Sequence, residues 1–150
     1  MGRKYFDGKD VILFIKRPAR DGQPADATFR AVACLDSNSF SHDRELKEVT
    51  NKCTAGYRDG RAGKGTWGFD ASGQAIGDAT AAEANYQELL EISVTGEEVE
   101  AKMANADGSV YRAGSALITS YKEDAASEEY LAFTATFAGL GVPVIKKPVA

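Results

Sequence analysis

Few residues of this 150-residue chain are equipped for covalent or metal chemistry. His42 is the only histidine, flanked by Ser41 and Asp43. In an extended segment adjacent side chains point to opposite faces, so that serine and aspartate cannot converge on the imidazole as a catalytic triad requires. Cys34 and Cys53 form no CxxC and have no histidine or cysteine neighbour at zinc spacing, so they read as two reduced thiols. The carboxylate pairs Glu97-Glu98 and Glu128-Glu129 sit in charged surroundings, and nothing singles one out as the acid and base of a hydrolase. Asp70 to Gly73 lacks the oxygen-ligand spacing of a calcium loop. The glycine-rich run GRAGKGT (Gly60 to Thr66) invites a phosphate-loop reading and fails it. Gly63-Lys64 is followed by Gly65 where serine or threonine is needed, and Arg58 stands where the first glycine belongs. The run also leads into a strand pattern, so no helix N-terminus waits for a phosphate. No catalytic residue, cofactor or metal is expected.

The charges are more informative. The net charge is −4, unevenly spread. Met1 to Arg30 carries seven Lys/Arg against four Asp, and His42 to Lys64 six against four acids. Asp78 to Glu129 carries twelve acids against Lys102, Arg112 and Lys122. An acidic half argues against nucleic-acid binding as the main task, which needs a net basic footprint. Opposite signs in two regions favour head-to-tail contact between copies. Lys9, Lys16, Arg17 and Arg20 read as a solvated edge, where lysine also discourages stray strand pairing.

The elements that hold these residues are mostly strands. Glu128 to Gly141 alternates at period two, with Leu131, Phe133, Ala135 and Phe137 on one side. Tyr130, Ala132, Thr134, Thr136 and Ala138 fall on the other, a face neither charged nor fully apolar. It suits packing inside the subunit on one side and a second contact on the other. Val11 to Ile15 is a first short strand, and Pro18, Gly22 and Pro24 break it. Thr28 to Leu35 resumes as a strand, Asp36 to Asn38 is turn chemistry, and Ser39 to Asp43 pairs back as a hairpin. Arg44 to Gly65 has four glycines, many charges and little alternation, and reads as a long inter-strand loop, rare in a compact domain unless it has a task. Thr66 to Phe69 opens another strand with Trp67 and Phe69 on one face, where core is the default over a ligand platform. Thr80 and Glu83 have capping-box spacing, which predicts one helix over about 80–94. Glu97 to Ala104 and Ser109 to Lys122 are strands joined by a turn at Asn105 to Gly108. The count is about seven strands and one helix: a mainly β single domain over 1–150, an antiparallel sandwich or barrel with ends at about 1–8 and 144–150 flexible. No apolar run approaches the ~20 residues of a membrane span, and no signal peptide is recognised, so no membrane insertion and a cytoplasmic site of synthesis are expected.

Four stretches carry a family likeness: TFRAVACLDSNSFSHDREL, the charged Lys47 to Lys64 segment ending in GTWGFDASG, the acidic NYQELLEI, and the closing EYLAFTATFAGLGVP. Over about Val11 to Pro143 the chain resembles the major tail tube proteins of phages with long, non-contractile tails, the family typified by the lactococcal phage TP901-1. That resemblance implies a β-sandwich flanked by a helix, six subunits joining strands into a barrel around a channel, and rings stacked head to tail. It implies a structural, non-enzymatic virion protein made and assembled in the host cytoplasm. Its partners would be further copies of itself, the tape-measure protein and the tail-terminator or distal tail proteins, with DNA passing through without specific binding. The long loop would reach the neighbouring ring, which makes Arg44, Glu45, Lys47, Glu48, Lys52, Arg58, Asp59, Arg61 and Lys64 the expected contact residues. Leu131, Phe133 and Phe137 would be the core strand, and Trp67 and Phe69 core aromatics. Two other readings remain open at this point: a tube or ring component of a type VI-like secretion or gene-transfer particle, and a β-sandwich ligand-binding module.

Overall fold

The computed structural model describes residues 8–19, 22, 24–32, 35–48, 60–75, 83–105, 108, 111–125 and 130–146. Among the described residues eight strands form one open sheet: β1 (Val11–Lys16), β2 (Arg30–Val32), β3 (Leu35–Glu48), β4 (Gly60–Gln74), β5 (Glu83–Ala84), β6 (Val99–Asn105), β7 (Tyr111–Asp124) and β8 (Ala132–Lys146). Their order is β3-β4-β8-β7-β6-β1-β2-β5. All neighbours are antiparallel except β2 and β5, which pair in parallel through two residues each. One helix, α1 (Tyr86–Thr95), packs on the inner side of the sheet, with Leu89 and Ile92 buried.

The inner face follows from the period-two pattern. Phe133, Ala135 and Phe137 of β8 are buried, joined by Trp67, Phe69 and Ala71 of β4 and by Leu13 and Ile15 of β1. Val99, Ala101, Ala116 and Ile118 complete the cluster, with Phe40 packed against it. Phe40, Trp67 and Phe69 stack with centroids 5.3–6.1 Å apart, the tilted and edge-on geometry that aromatic quadrupoles favour. Leu131 lies just ahead of β8, half-buried, its carbonyl accepting from the Ala75 N–H.

Three local expectations change. Asp36 to Asn38 is no turn. β3 runs straight through, and a bulge between Leu35 and Ser37 absorbs Asp36, because the β4 backbone supplies the partners that a turn would have made locally. The Arg44 to Gly65 stretch is not a loop throughout. Leu46, Lys47 and Glu48 pair with Ala62, Arg61 and Gly60, so only the part beyond Glu48 and before Gly60 lies outside the described residues. Glycine lowers strand propensity and hid this pairing, yet close approach favours it here: a Cβ at Gly60 would lie 2.6 Å from the Lys47 carbonyl oxygen. The helix begins later than expected. Glu83 pairs with Ala31 in β5, Thr80 lies outside the described residues, and Asn85 is the cap, its side chain accepting from Glu88 N–H at 3.0 Å. Gly96, at φ 70°, ends the helix and donates to the Ile92 carbonyl.

The loop after β1 is tied to α1 by charge. Arg17, expected on a solvated edge, is instead only 2% exposed and meets Glu97 at 2.6 Å and Glu91 at 3.7 Å. Arg30 meets Asp26 at 3.2 Å and Glu88 at 2.8 Å, and Asp26 also accepts from the Arg17 backbone N–H. Burial pulls the Arg17 pKa down, but the Glu97 hydrogen bond and charge, with Glu91 and Glu88, more than offset it and leave it raised. Both ends of α1 are thereby fastened to the strand layer.

Candidate assembly surfaces

The sheet is unclosed, and two of its borders bear most on function. β3 is its last strand on one side, and no described strand pairs with its outer edge. On the other side β6 pairs with β7 only as far as Ala116, so Leu117 to Asp124 has β8 on one flank and no described strand on the other. Between these borders lie four strands, β3-β4-β8-β7, each antiparallel to the next. β3 and β7 therefore run in opposite directions at the two borders.

The outer face of these four strands is carpeted with small hydroxyl side chains. Ser39, Ser41, Thr66, Ser72, Thr134 and Thr136 share it through the pairs Ser39–Asp70, Asp43–Thr66, Ser72–Thr134 and Asp70–Thr136. Thr136 donates to Asp70 at 3.0 Å. Asp43, Asp70 and Asp124 stand there against Lys122, so the face is mildly negative. It is the neutral side of the alternation in β8, continued across three neighbouring strands.

Beyond Trp67 the sheet forks. β4 leaves β8 and continues with β3 alone as a two-stranded arm. The indole fills the crotch of the fork, its Nε1–H donating to the Gly141 carbonyl at 2.8 Å. Its ring lies on Gly139 and Gly114, where a Cβ would come within 2.6 Å of ring carbons. Trp67 is thus a core wedge, 6% exposed, and offers no open ligand platform.

Arg44, Glu45, Lys47, Glu48, Arg61 and Lys64, all expected as contact residues, sit exposed on this arm. Lys52, Arg58 and Asp59 lie outside the described residues. Lys47 stands directly opposite Arg61. Like charges at opposed positions weaken an isolated hairpin, and an acidic partner would relieve them. Arg44 also donates to the Gly63 carbonyl at 3.1 Å.

The two ends of the molecule differ in sign. The arm end carries Arg44, Lys47, Arg61, Lys64 and Lys146 against Glu45 and Glu48; the far end, where β7 finishes, carries Glu123 and Asp124 against Lys122, which pairs with Asp124 at 3.6 Å. Sequence reasoning placed Tyr130 on a second-contact face, and it is 80% exposed at the far end, but it missed the exposed apolar residues at the arm end. There Val142 is 90% exposed, with Leu140, Val144 and Ile145 around it. The only sequence signal for these was the GLGVPVI run after the alternation, which Pro143 made look like a tail. Among the described residues no group of three or more His, Cys, Asp or Glu is placed to hold a metal. His42 is exposed on β3 opposite Trp67, with Ser41 and Asp43 on the other face. Among the described residues no helix is long and apolar enough to cross a membrane.

Known structures share this architecture. The tail of an empty gene transfer agent particle, refined with C6 symmetry, superposes with a TM-score of 0.75 at 20% identity, over 95% of this chain and 100% of that one. The SPP1 tail tube superposes at 0.70 with 13% identity, over 97% and 81%. The cap that terminates the tube of the anti-feeding prophage follows at 0.57 and 15%, over 97% and 94%. No curated protein matches the chain. A family model described as phage tail tube protein matches residues 5–145. With that match running through every strand of the sheet, the chain belongs to the phage tail tube protein family and is a structural subunit of a tail tube.

Proposed function

We propose that six copies close into a ring by pairing the outer edge of β3 in one copy with the Leu117 to Asp124 edge of β7 in the next. The observation that carries this is the opposed direction of those two borders. Joined edge to edge, they continue the antiparallel alternation without a break and leave no exposed ladder between copies. The six-fold symmetry of the gene transfer agent tail supports the number. Six sets of four strands, spaced ~4.8 Å and tilted about 40°, give a cylinder about 48 Å across between backbones.

The hydroxyl-rich outer face of β3-β4-β8-β7 lines that channel. Short neutral side chains and the single Lys122, paired with Asp124, offer DNA little cationic grip, and Asp43 and Asp70 repel its phosphates, so the duplex slides without specific binding. Before DNA enters, a bore of this width holds several helices of about 10–12 Å, as a tape-measure protein would require. Rings stack through the β3–β4 arm, and tail-terminator and distal tail proteins close the two ends. The subunit carries no catalysis and resides in the virion tail after synthesis in the host cytoplasm.

Electron microscopy of the purified chain tests the reading. Rings or tubes with a central channel are expected at high concentration. A monomer that stays compact there, with no tube in the parent particle, refutes it. A gene-transfer particle is the second reading, favoured by the complete coverage of that tail chain against 81% of the SPP1 tube chain. Sequencing the DNA inside the parent particle separates the two.

A further inference from the structure

Resting on the tube reading, we infer that rings make a second axial contact, separate from the arm: Tyr130 of one copy seats in an apolar groove at the arm end of a copy in the adjoining ring. The groove holds about 570 Å3 and is lined by Phe29, Tyr111, Ala113, Leu140, Val142 and Val144. Ser115, Ala113 and Tyr111 of β7 pair with Leu140, Val144 and Lys146 of β8, so these side chains stand on one face. Phe29 closes the side, with Lys102 Nζ 4.9 Å from its centroid and 5.0 Å from that of Tyr111.

Three observations select a second copy as the occupant. The groove and Tyr130 lie at opposite ends of the same strand, so translation along the tube brings one to the other without any turn of the subunit. Glu100 and Lys102 both line the groove, and Lys146 lies 5.6 Å from the Tyr111 ring, which leaves the rim net cationic; Tyr130 shares its end with Glu123 and with Asp124, which pairs with Lys122 at 3.6 Å, which leaves that end net acidic, so the signs match on contact. An 80% exposed tyrosine beside a 90% exposed valine at the other end is the pattern of an aromatic anchor and its socket. A contact between two different patches is heterologous, and a heterologous contact propagates as a filament, which is what a tube needs.

The experiment uses the full-length chain with Tyr130→Ala and Val142→Asp, both at exposed positions. Each variant alone is expected to form rings, with the concentration needed for tube growth raised at least tenfold. Tyr130→Phe keeps the ring of the anchor and grows tubes like the wild type. Each variant damages only one end, so preformed Val142→Asp rings mixed with preformed Tyr130→Ala rings pair once and stop, giving two-ring stacks in electron micrographs. Wild-type-length tubes from either variant alone, or a mixture that yields only single rings, overturn the contact and leave the ring intact. A wild-type chain that makes neither rings nor tubes overturns the tube reading and this contact together.

Discussion

Gly139→Ala should destabilise the subunit far more than one added methyl suggests. A Cβ there falls 2.6 Å from Cε3 of Trp67 and closer still to Cδ2 and Cε2. Carbon atoms rest about 3.5–4.0 Å apart, so roughly an ångström of overlap has to be relieved. The indole cannot retreat through its far edge, where Gly114 leaves room for no Cβ either. It has to tilt, and tilting breaks the 2.8 Å bond from Nε1–H to the Gly141 carbonyl. Overpacking costs about 1–3 kcal/mol and a stranded buried N–H about 1–3 kcal/mol, so the sum is about 2–6 kcal/mol. Urea unfolding followed by tryptophan fluorescence measures it directly, since Trp67 is the only tryptophan. Circular dichroism follows the companion variants Trp67→Leu and Trp67→Leu with Gly139→Ala. With the indole gone the added methyl meets nothing, so the second substitution should cost less than 1 kcal/mol on the first. A Gly139→Ala protein within about 0.5 kcal/mol of wild type, or strictly additive losses in the pair, would show that Trp67 does not wedge the fork.

Other perturbations read other parts of the molecule. Phe137→Ala opens a cavity under β8 and should cost about 3–5 kcal/mol in denaturant unfolding, while Phe137→Asp should abolish the folded circular dichroism signal by burying a charge. Arg17→Met strands Glu97 and should cost about 3–5 kcal/mol, whereas Arg17→Met with Glu97→Leu should recover most of it; an equal loss in both would contradict the latch. Tyr121 donates to Glu123 at 2.8 Å; its burial, then the Glu123 hydrogen bond and charge, with Tyr86, push its phenol pKa up. A pKa raised on folding gives stability that is full below the unfolded value of ~10 and is lost as pH rises beyond it, so wild-type melting temperature should fall above about pH 10 and that part of the fall should vanish in Tyr121→Phe. Arg44→Glu with Arg61→Glu should leave rings intact but prevent stacking at low salt, read by sedimentation.

What the sequence disclosed and what it concealed divide along a physical line. The alternation in β8 was legible because a strand buried on one face imposes period two on its own residues. The hairpin at Asn105 to Gly108 was legible for the same local reason, and Gly108, at φ 72°, donates to Asn105 there. The run through Asp36 to Asn38 was not, because the residues that override the turn belong to β4, more than thirty positions away. The arm was hidden by glycines placed for close backbone approach, which to a propensity count are strand breakers. β5 was hidden by its size: a two-residue pairing leaves no period to see, and it moved the helix start from Thr80 to Asn85. The assembly surfaces were least legible. A free edge depends on which strands end up outermost, and that order is a property of the whole sheet.

The fork at Trp67 also creates another border, along β8 from Gly139 to Lys146, because β4 no longer accompanies it there. It differs from the two at β3 and β7. Between Ala113–Val144 and Ser115–Leu140 the register shifts, with Gly141, Val142 and Pro143 set against the single residue Gly114. Gly141, at φ 72°, turns the strand, and Pro143 has no N–H to offer an incoming ladder. Bulges and prolines are the devices by which natural edges refuse partners. The same bulge throws Val142 outward to 90% exposure. One irregularity thus closes this border to strand pairing and makes it a side-chain surface instead. A subunit with three competent edges would branch. With this one blunted, growth of the proposed ring would run from β3 to β7, and contact along the tube axis would fall to the arm and to side chains.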